Sequence, residues 1–529
     1  MAIVLINPNV VVQKNDPFTT GIVYMPIGLA YVAASLRAAN IKVRVIDAFA
    51  EKPYQARTEG NFLLLGLHYE EVVKQISDGE IKAVFVYAIN LTNHLSTIGL
   101  IKAIKKIFPH ISLIVLENPH AVTAYSLPLV QEEFYSAGAD YILSGEGDLN
   151  SVYIAKALIN GDTDDLLKIE GLGFRNFYNP SLTKIMDLDS LPFPAWDMFP
   201  LENYWSLRFA HGPQTTKRYL PLLTSRGCPF ACGFCVTPST SGQKWRARSA
   251  KNVVDEMEFF SEQYNVKEFH IEDLNPTVSD LRIRSLCNDI LKRNLQIIWK
   301  IAAGTKAETI KNEETIELMF KAGCRYISIS PETGSPQLLR LMKKPFNLEH
   351  AIHLVKKMNA VGIRSQACFV LGYPGETDDD LRLTWNMVKN LTTAGVDEIA
   401  LFINSPVPGS MIYEKMKGYS CLSELNFSPA WRSDYRKLNA FRLNLYKSFL
   451  LSNFLLVLLH ILCCNHRTAH SVRTESRQNA PERSDKSRIP ISNLAPIASA
   501  SRVRRSCFSP PTICALLRDR LDRAAIRAP

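Results

Sequence analysis

Short apolar runs alternate with amphipathic helical segments along two long stretches of this chain, and this alternation limits the fold more than any other feature. In the first stretch, strands are predicted at Ala2–Asn7, Lys42–Ile46, Ala83–Ala88, Ser112–Leu116 and Tyr141–Leu143. Strands that alternate with helices form parallel sheets in α/β folds. Residues 1–165 are therefore predicted to be a Rossmann-like, doubly wound domain that binds ligands at the carboxyl ends of its strands.

A second series of the same kind begins near residue 219. Its six predicted strands are Leu220–Thr224, Lys267–Ile271, Ile297–Ile301, Tyr326–Ser330, Gln366–Leu371 and Glu398–Phe402. Six such units predict a partial, TIM-like (β/α)6 barrel over residues 216–415, with functional groups at the carboxyl ends of the strands. Residues 166–215 are predicted to be a connector, whose Pro-rich and aromatic part should pack in an extended form across both domains.

The C-terminal part changes character twice. Residues 416–464 are predicted to be helical, and within them residues 448–464 are apolar and carry no formal charge. That stretch is slightly short for a membrane span, so a buried or interfacial helix is favoured, and peripheral membrane contact stays open. Residues 465–529 are rich in Arg, Ser and Pro and are predicted to be a disordered tail.

The net charge of +10 comes mostly from this tail, which carries 13 Lys+Arg against 5 Asp+Glu. The remaining residues carry 48 against 46 and so have no electrostatic footprint for nucleic acid. The first eight residues lack a basic leader, so no signal peptide is expected. Cysteines without an evident disulfide pattern favour the reducing cytoplasm, with membrane association as an open alternative.

Three cysteines lie within eight residues of one predicted loop. Three residues separate Cys228 from Cys232, and two separate Cys232 from Cys235. Zinc sites and iron–sulfur cubanes usually take four protein ligands, so three thiolates would leave one iron of a four-iron cluster open. The next histidine is His270 and the next cysteine Cys287, too far along the chain for a zinc ribbon. A structural zinc site remains the alternative.

The cysteine spacing, together with Phe234 before the third cysteine, resembles the radical SAM superfamily. The resemblance implies a 4Fe-4S cluster on Cys228, Cys232 and Cys235 whose open iron chelates S-adenosylmethionine. It also implies that one electron, supplied by a donor such as flavodoxin or ferredoxin, cleaves this cofactor to a 5'-deoxyadenosyl radical.

Segments at later strand ends resemble the same family in order and spacing. Glu272 and Asp273 resemble the acidic stretch that meets the amino group of S-adenosylmethionine, although Asp273 could instead cap a helix. Residues 328–335 and 372–377 resemble the fourth-strand segment and the fifth-strand turn. The resemblance thus implies S-adenosylmethionine contacts from Phe234, Glu272, Asp273, Ser330, Glu332 and Gly372.

The N-terminal series resembles the cobalamin-binding domain that precedes this core in one large subgroup. The matching residues imply cobalamin contacts from Gly28, Thr92, His120, Gly145 and Glu146. One departure is Glu117-Asn118, where the family often has two glycines; side chains there are expected to crowd the nucleotide tail of cobalamin. A Rossmann-like domain that has lost its cofactor is the alternative.

Together these resemblances imply a cobalamin-dependent radical SAM methyltransferase of class B type, acting on an unactivated carbon of a small-molecule or lipid-like substrate. Two alternatives stay open. One is an oxidative cyclase of the anaerobic porphyrin-ring type, and the other is a non-catalytic remnant that binds a cluster or corrinoid. No residue is assigned a catalytic role, and no nucleic-acid partner is expected.

Overall fold

The computed structural model describes residues 2–14, 23–76, 80–208, 210–426 and 428–453. Its N-terminal strands are β1 (Ala2–Asn7), β2 (Val10–Gln13), β3 (Val43–Asp47), β4 (Ala56–Glu59), β5 (Phe62–Leu65), β6 (Ile81–Ala88), β7 (Ser112–Glu117), β8 (Tyr141–Leu143), β9 (Leu172–Phe174) and β10 (Phe177–Tyr178). The helices of this part are α1 (Ile27–Ala38), α2 (Tyr69–Ile76), α3 (His94–Ile107), α4 (Gln131–Ala137), α5 (Gly147–Asn160) and α6 (Thr163–Leu166).

The first sheet has the order β10-β9-β8-β7-β6-β1-β3, and the strands from β8 to β3 are parallel. Alternate residues of β1 face opposite sides: Ile3 packs in a core with α1 and α5, whereas Val4 packs in a second core with α2 and α3. Helices therefore cover both faces, which confirms the doubly wound α/β prediction. β9 and β10 extend the edge in the antiparallel direction, and β2, β5 and β4 form a separate small sheet.

The second part is the predicted partial barrel. Its strands are β11 (Leu220–Leu222), β12 (Ser225–Arg226), β13 (Arg246–Ala247), β14 (Glu268–Ile271), β15 (Ile298–Thr305), β16 (Cys324–Glu332), β17 (Arg364–Leu371) and β18 (Glu398–Ile403). Six of them form one parallel sheet in the order β11-β14-β15-β16-β17-β18, while β12 pairs with β13. Within the described residues β11 and β18 do not pair, so the barrel is open on one side, and the predicted fold class is confirmed.

Helices connect the barrel strands and cover their outer side. They are α7 (Leu201–Ser206) in the connector, then α8 (Thr237–Thr240), α9 (Ala250–Tyr264), α10 (Asp280–Lys292), α11 (Glu313–Lys321), α12 (Pro336–Leu341), α13 (Leu348–Val361) and α14 (Asp378–Ala394). A capping box at Thr377 and Asp380 starts α14, and Gly395 in the left-handed conformation ends it. Because the six barrel strands are parallel, their carboxyl ends lie at one rim.

The connector packs between the two domains. Trp196 and Tyr204 are fully buried in a core that contains residues of both α1 and the barrel. Tyr204 Oη donates to Asp47 at 2.6 Å, and Trp205 Nε1 donates to the carbonyl oxygen of Tyr219 at 2.7 Å. These two bonds tie the first sheet to the entry of the barrel.

A further helix runs over residues 435–453 and packs against the barrel, where Leu401 N donates to Tyr446 Oη at 2.9 Å. Among the described helices, none combines the length and the apolar character that crossing a membrane requires. The predicted interfacial stretch 448–464 lies mostly outside the described residues, and the predicted tail 465–529 lies entirely outside them.

Candidate functional site

The three cysteines lie on the loop between β12 and β13, at the carboxyl end of the first barrel strand. Gly227 opens this loop with φ +77°, and a Cβ there would lie 2.4 Å from the carbonyl oxygen of Lys244. Only glycine fits so tight an entry without strain. The loop is also fixed at its centre, because Gly233 N donates to the carbonyl oxygen of Met342 at 2.7 Å.

All three thiols are partly buried and near enough to influence one another. Burial raises the pKa of each thiol; for Cys232, burial and the neighbouring thiols together raise it to about 12, although Lys344 lowers it. Thr237 N donates to Sγ of Cys235 at 3.4 Å, which favours the thiolate. Thiolates in this setting need a positive centre beside them, as a metal cluster provides.

Three thiols on one loop suit a cluster in which each sulfur binds a different iron. In the described part of the chain, no three His, Cys, Asp or Glu side chains converge as the ligands of one metal ion would. A four-iron cluster requires less convergence, because each thiolate binds a different iron.

A buried ion pair faces the cysteines. Lys344 Nζ lies 2.5 Å from Oε1 of Glu332 and 5.8 Å from the centre of the Phe234 ring. Glu332 ends β16 in the left-handed conformation, with φ +65°, which is strained for a residue other than glycine. Burial alone would lower the pKa of Lys344, but the charges of Glu332 and Cys232 outweigh burial and raise it. Lys344 is thus a fixed cation beside the three sulfurs.

Two arginines bind the cysteine loop to the N-terminal domain. Arg226, two residues before Cys228, contacts both carboxylate oxygens of Asp148 at 2.7 and 3.0 Å. Arg246 contacts both oxygens of Glu146 at 2.6 and 2.9 Å. Side chains of all four residues are at most 3% exposed. Burial would raise the pKa of Asp148, but Arg226 outweighs burial and lowers it, so the pair stays ionised.

The two acidic residues after β14 have different surroundings. Asp273 accepts hydrogen bonds from Thr224 N, Thr224 Oγ1 and Ser225 Oγ, so its carboxylate fixes the start of the cysteine-bearing segment. Glu272 instead pairs with His211, with 2.6 Å between Oε2 and Nδ1. The structure does not bring these two carboxylates together at one point.

Ser330 and Gly372 lie at neighbouring strand ends on the barrel rim. Oγ of Ser330 is 2.9 Å from the position that a Cβ on Gly304 would take. Gly372 has φ +75°, its N–H donates to Glu376, and its carbonyl oxygen accepts from Arg432 at 2.9 Å. The polar backbone atoms of Gly372 are therefore already engaged within the protein.

The residues predicted for cobalamin divide into two groups. Gly28 and His120 lie together, because a Cβ on Gly28 would be 2.3 Å from Oη of Tyr87 and 3.4 Å from the His120 ring. Thr92 donates to Asn90, Gly145 N donates to Glu117, and Glu146 accepts hydrogen bonds from Arg246. Of the five, His120 lines a cavity with Gly28 packed beside it, and the other three are engaged in contacts within the protein.

That cavity lies between the carboxyl ends of the first sheet and the barrel rim, and its volume is about 50 Å³. Its walls include Tyr24, Tyr87 and His120 from one domain and Glu272 from the other. Nδ1 of His120 is buried and has no hydrogen-bond partner among the described residues. Burial lowers the pKa of His120 to about 3, so its imidazole is neutral at physiological pH.

Sequence reasoning missed Lys344, Arg226 and His211. Arg226 immediately precedes the cysteine motif, and this position was the available signal for it. Lys344 follows Glu332 by twelve residues with no motif to mark it, and His211 lies in the connector. Their roles depend on long-range partners that no local pattern indicates.

Comparison with known proteins agrees with this geometry. Residues 222–388 match the family profile of the Radical SAM superfamily. Cytidylyl-2-hydroxyethylphosphonate methyltransferase of Streptomyces wedmorensis is 27% identical over 454 residues, which cover 77% of this chain and 80% of that protein. Anaerobic magnesium-protoporphyrin IX monomethyl ester cyclase of Rubrivivax gelatinosus is 26% identical over 286 residues, which cover 52% of this chain and 50% of the cyclase.

A solved structure shares the fold of both domains. It is that of the radical S-adenosylmethionine methyltransferase TsrM from Kitasatospora setae, with cobalamin and a 4Fe-4S cluster bound. The two chains superpose with a TM-score of 0.57 at 18% sequence identity, over 78% of this chain and 74% of TsrM.

Proposed function

Residues 222–388 make this chain a radical SAM enzyme, and we propose that it cleaves S-adenosylmethionine reductively and methylates an unactivated carbon with the help of cobalamin. The observation that carries the proposal is the cysteine loop, which is held against the N-terminal domain by the Arg226–Asp148 and Arg246–Glu146 pairs. When bound, the 4Fe-4S cluster, S-adenosylmethionine and cobalamin supply the radical and methyl-transfer chemistry, while the protein orients them and excludes water.

The residues around the loop suit the iron–sulfur cluster and the methionyl part of S-adenosylmethionine. Cys228, Cys232 and Cys235 would hold the cluster. The methionyl part carries an ammonium and a carboxylate, so it needs an anion and a cation side by side. Glu332 and Lys344 supply such a pair next to the sulfurs.

We place the corrinoid beside the cavity between the domains, at the carboxyl ends of the first sheet. Doubly wound domains bind their cofactors at this edge. The unpartnered Nδ1 of His120 is a buried polar atom of the kind that a bound ligand satisfies. Glu117 is directed into the fold, because its side chain bonds to Leu127 N and Gly145 N, whereas Asn118, which bonds to the carbonyl oxygen of Ile89, lines the cavity.

The test is anaerobic reconstitution with iron, sulfide and cobalamin, followed by addition of a reductant and S-adenosylmethionine. We expect release of 5'-deoxyadenosine, together with iron–sulfur and corrinoid absorption bands. Cys232→Ala should abolish both the release and the iron–sulfur band, whereas Cys421→Ala, at an exposed cysteine, should change neither. Undiminished release from Cys232→Ala would refute the proposal.

The similarity to a magnesium-protoporphyrin ester cyclase supports ring-forming oxidation as the second candidate. Methyl incorporation from labelled S-adenosylmethionine would separate methylation from cyclisation. Binding of iron or cobalamin without release of 5'-deoxyadenosine would favour the non-catalytic remnant, and failure to bind either would favour a remnant that has lost its cofactors. A small-molecule substrate and an external electron donor such as flavodoxin or ferredoxin complete the proposal.

A further inference from the structure

Two basic side chains adjoin the cysteine loop from separate elements. Nζ of Lys306, which immediately follows β15, lies 4.1 Å from the centre of the Phe230 ring, and Phe230 stands between the first two cysteines. The backbone of Lys244 runs beside Gly227, because a Cβ on Gly227 would lie 2.4 Å from the Lys244 carbonyl oxygen. Lys244 is exposed and Lys306 is partly exposed, so both carry positive charge at the surface next to the loop.

The end of α12 and the turn after it supply two more cations. Arg340 and Lys343 are exposed, and they flank Met342, whose carbonyl oxygen accepts from Gly233 N of the cysteine loop at 2.7 Å. Lys343 N donates to the carbonyl oxygen of Arg340 at 3.0 Å, which fixes the turn. Leu341 lies between the two cations and is 51% exposed, so this part of the surface also has an apolar side chain.

These four side chains form a surface that we call the basic patch: Lys244, Lys306, Arg340 and Lys343. Among the described residues, none of them forms an ion pair. Carboxylates nearby in sequence are engaged elsewhere, since Glu332 pairs with the buried Lys344 and Glu308 accepts from Asn347 N at 2.6 Å. The chain before residue 465 carries 48 Lys+Arg against 46 Asp+Glu, so the positive charge of the patch is local and does not follow from net charge.

The cysteine loop itself reaches the surface beside the basic patch. Pro229 is exposed and Phe230 is partly exposed, and both lie between Cys228 and Cys232. The residues of the patch do not line the cavity between the domains, where the corrinoid is placed. A molecule bound to the patch would therefore come close to the three sulfurs and leave the corrinoid side of the loop free.

The chemistry at the loop identifies the kind of partner that this surface fits. Reductive cleavage of S-adenosylmethionine takes one electron per event, and electron transfer requires a close approach of the donor to the cluster. Electron-carrier proteins of the flavodoxin and ferredoxin kinds have acidic surfaces, which complement a basic patch. Electron-transfer complexes are small and short-lived, so a few charges around an apolar side chain suffice. The exposed Leu341 and Pro229 favour a protein partner over the phosphates of a nucleic acid.

We propose that the basic patch is the docking surface of an acidic one-electron carrier protein, which delivers its electron across the part of the loop that holds Phe230. The inference rests on the proposed function, because it names where the electron donor of that enzyme binds. With a flavodoxin, the flavin hydroquinone gives up one electron and becomes the semiquinone, and the cluster takes that electron up. The complex is weak and sensitive to salt, because exposed charges hold it together.

The test uses a flavodoxin of net negative charge and the reconstituted full chain. Calorimetry gives the Kd of the oxidised flavodoxin, and release of 5'-deoxyadenosine driven by its hydroquinone gives kcat/KM. At about 50 mM salt, Arg340→Glu/Lys343→Glu should weaken binding and lower kcat/KM by at least about tenfold, because attraction becomes repulsion. At about 0.5 M salt the difference should shrink to less than about threefold, because salt screens exposed charges.

Two controls separate docking from damage to the site. Reduced methyl viologen is a small cation that the basic patch does not attract, so release driven by it should change less than about twofold in the double variant. Lys292→Glu is the matched charge reversal: Lys292 is exposed in the last turn of α10, which leads to the amino end of β15 and so to the opposite end of the barrel. This variant should keep the affinity and the rate of the unaltered chain with flavodoxin.

The outcomes distinguish the surface from the enzyme. Unchanged flavodoxin binding and kcat/KM in the double variant, or an equal loss with methyl viologen, would overturn the docking surface. Tighter binding of a single-stranded RNA than of flavodoxin at the patch would also overturn it. Release driven by methyl viologen but not by flavodoxin would contradict the docking surface alone. Absence of release with either reductant would contradict the proposed function.

Discussion

The Arg226–Asp148 pair is the contact whose removal should disturb this protein most. Both side chains are buried, at 3% and 2% exposure, and two hydrogen bonds of 2.7 and 3.0 Å join them across 78 residues of sequence. Removing one partner leaves an uncompensated charge in the interior, which typically costs about 3–5 kcal/mol. We therefore expect Arg226→Gln and Asp148→Asn each to destabilise the chain by about that amount.

The two changes should not add. Once Arg226 is gone, Asp148 is itself unfavourable, so the double variant should be nearly as stable as either single variant, with a coupling energy of about 3–5 kcal/mol. Urea denaturation followed by tryptophan fluorescence and circular dichroism gives the cycle, because both probes together reveal whether the domains unfold in one step. Iron content after reconstitution should fall in the single variants, since Arg226 precedes the cysteine loop.

The control is the Arg37–Asp197 pair, which has a similar distance of 2.6 Å but is about half exposed on both sides. Surface pairs of this kind contribute about 0–1 kcal/mol, so Arg37→Gln should change stability little. Strict additivity of the Arg226 and Asp148 variants would show that the two charges do not act as a unit. It would also show that this pair does not hold the cysteine loop against the N-terminal domain.

Three other changes have definite expected results. His120→Gln should make the folded protein less sensitive to acid. The pKa of His120 in the folded protein is about 3 against an ordinary value of 6.5, so its contribution to stability is complete above about pH 6.5, and the free energy of unfolding falls by about 2 kcal/mol by about pH 5. Urea midpoints at the two pH values would measure this fall. Gly227→Ala should reduce iron loading, because φ is +77° and the new Cβ would meet the Lys244 carbonyl, and normal iron loading would contradict this. Lys344→Met should make the cluster harder to reduce, since a fixed cation is lost; an unchanged potential in an EPR-monitored titration would count against it.

The regular parts of the fold were predictable from sequence because local patterns determine them. The strands at Ala2–Asn7 and Tyr141–Leu143 agree with the predicted bounds, and the six parallel barrel strands lie in the predicted order. Their apolar runs are buried on both faces, which makes them conspicuous. The small sheet of β2, β5 and β4 was missed, because strands of only four residues depend on their partners more than on propensity.

In the candidate site, too, residues marked by a local pattern were predictable, and residues brought together by packing were not. The cysteines could be identified because three thiols in eight residues are rare and their chemistry is local. The neighbours of the loop could not, because Arg226 finds Asp148, and His211 finds Glu272, only through the packing of separate domains. Glu272 shows the consequence: its position after a strand was predicted, whereas its partner and the cavity it faces were not.

Glu117 stands where the resembling family often has a glycine, and its side chain joins two parts of the N-terminal domain. Its carboxylate accepts from Leu127 N at 3.0 Å and from Gly145 N at 2.6 Å, so it ties the end of β7 to the turn after β8. Burial raises the pKa of Glu117 to about 7, although both backbone bonds lower it. The Glu117 side chain is thus directed into the fold, whereas Asn118 lines the cavity next to His120. Any ligand whose tail entered between β7 and β8 would have to compete with this carboxylate for the two N–H groups, whereas a ligand confined to the cavity would not.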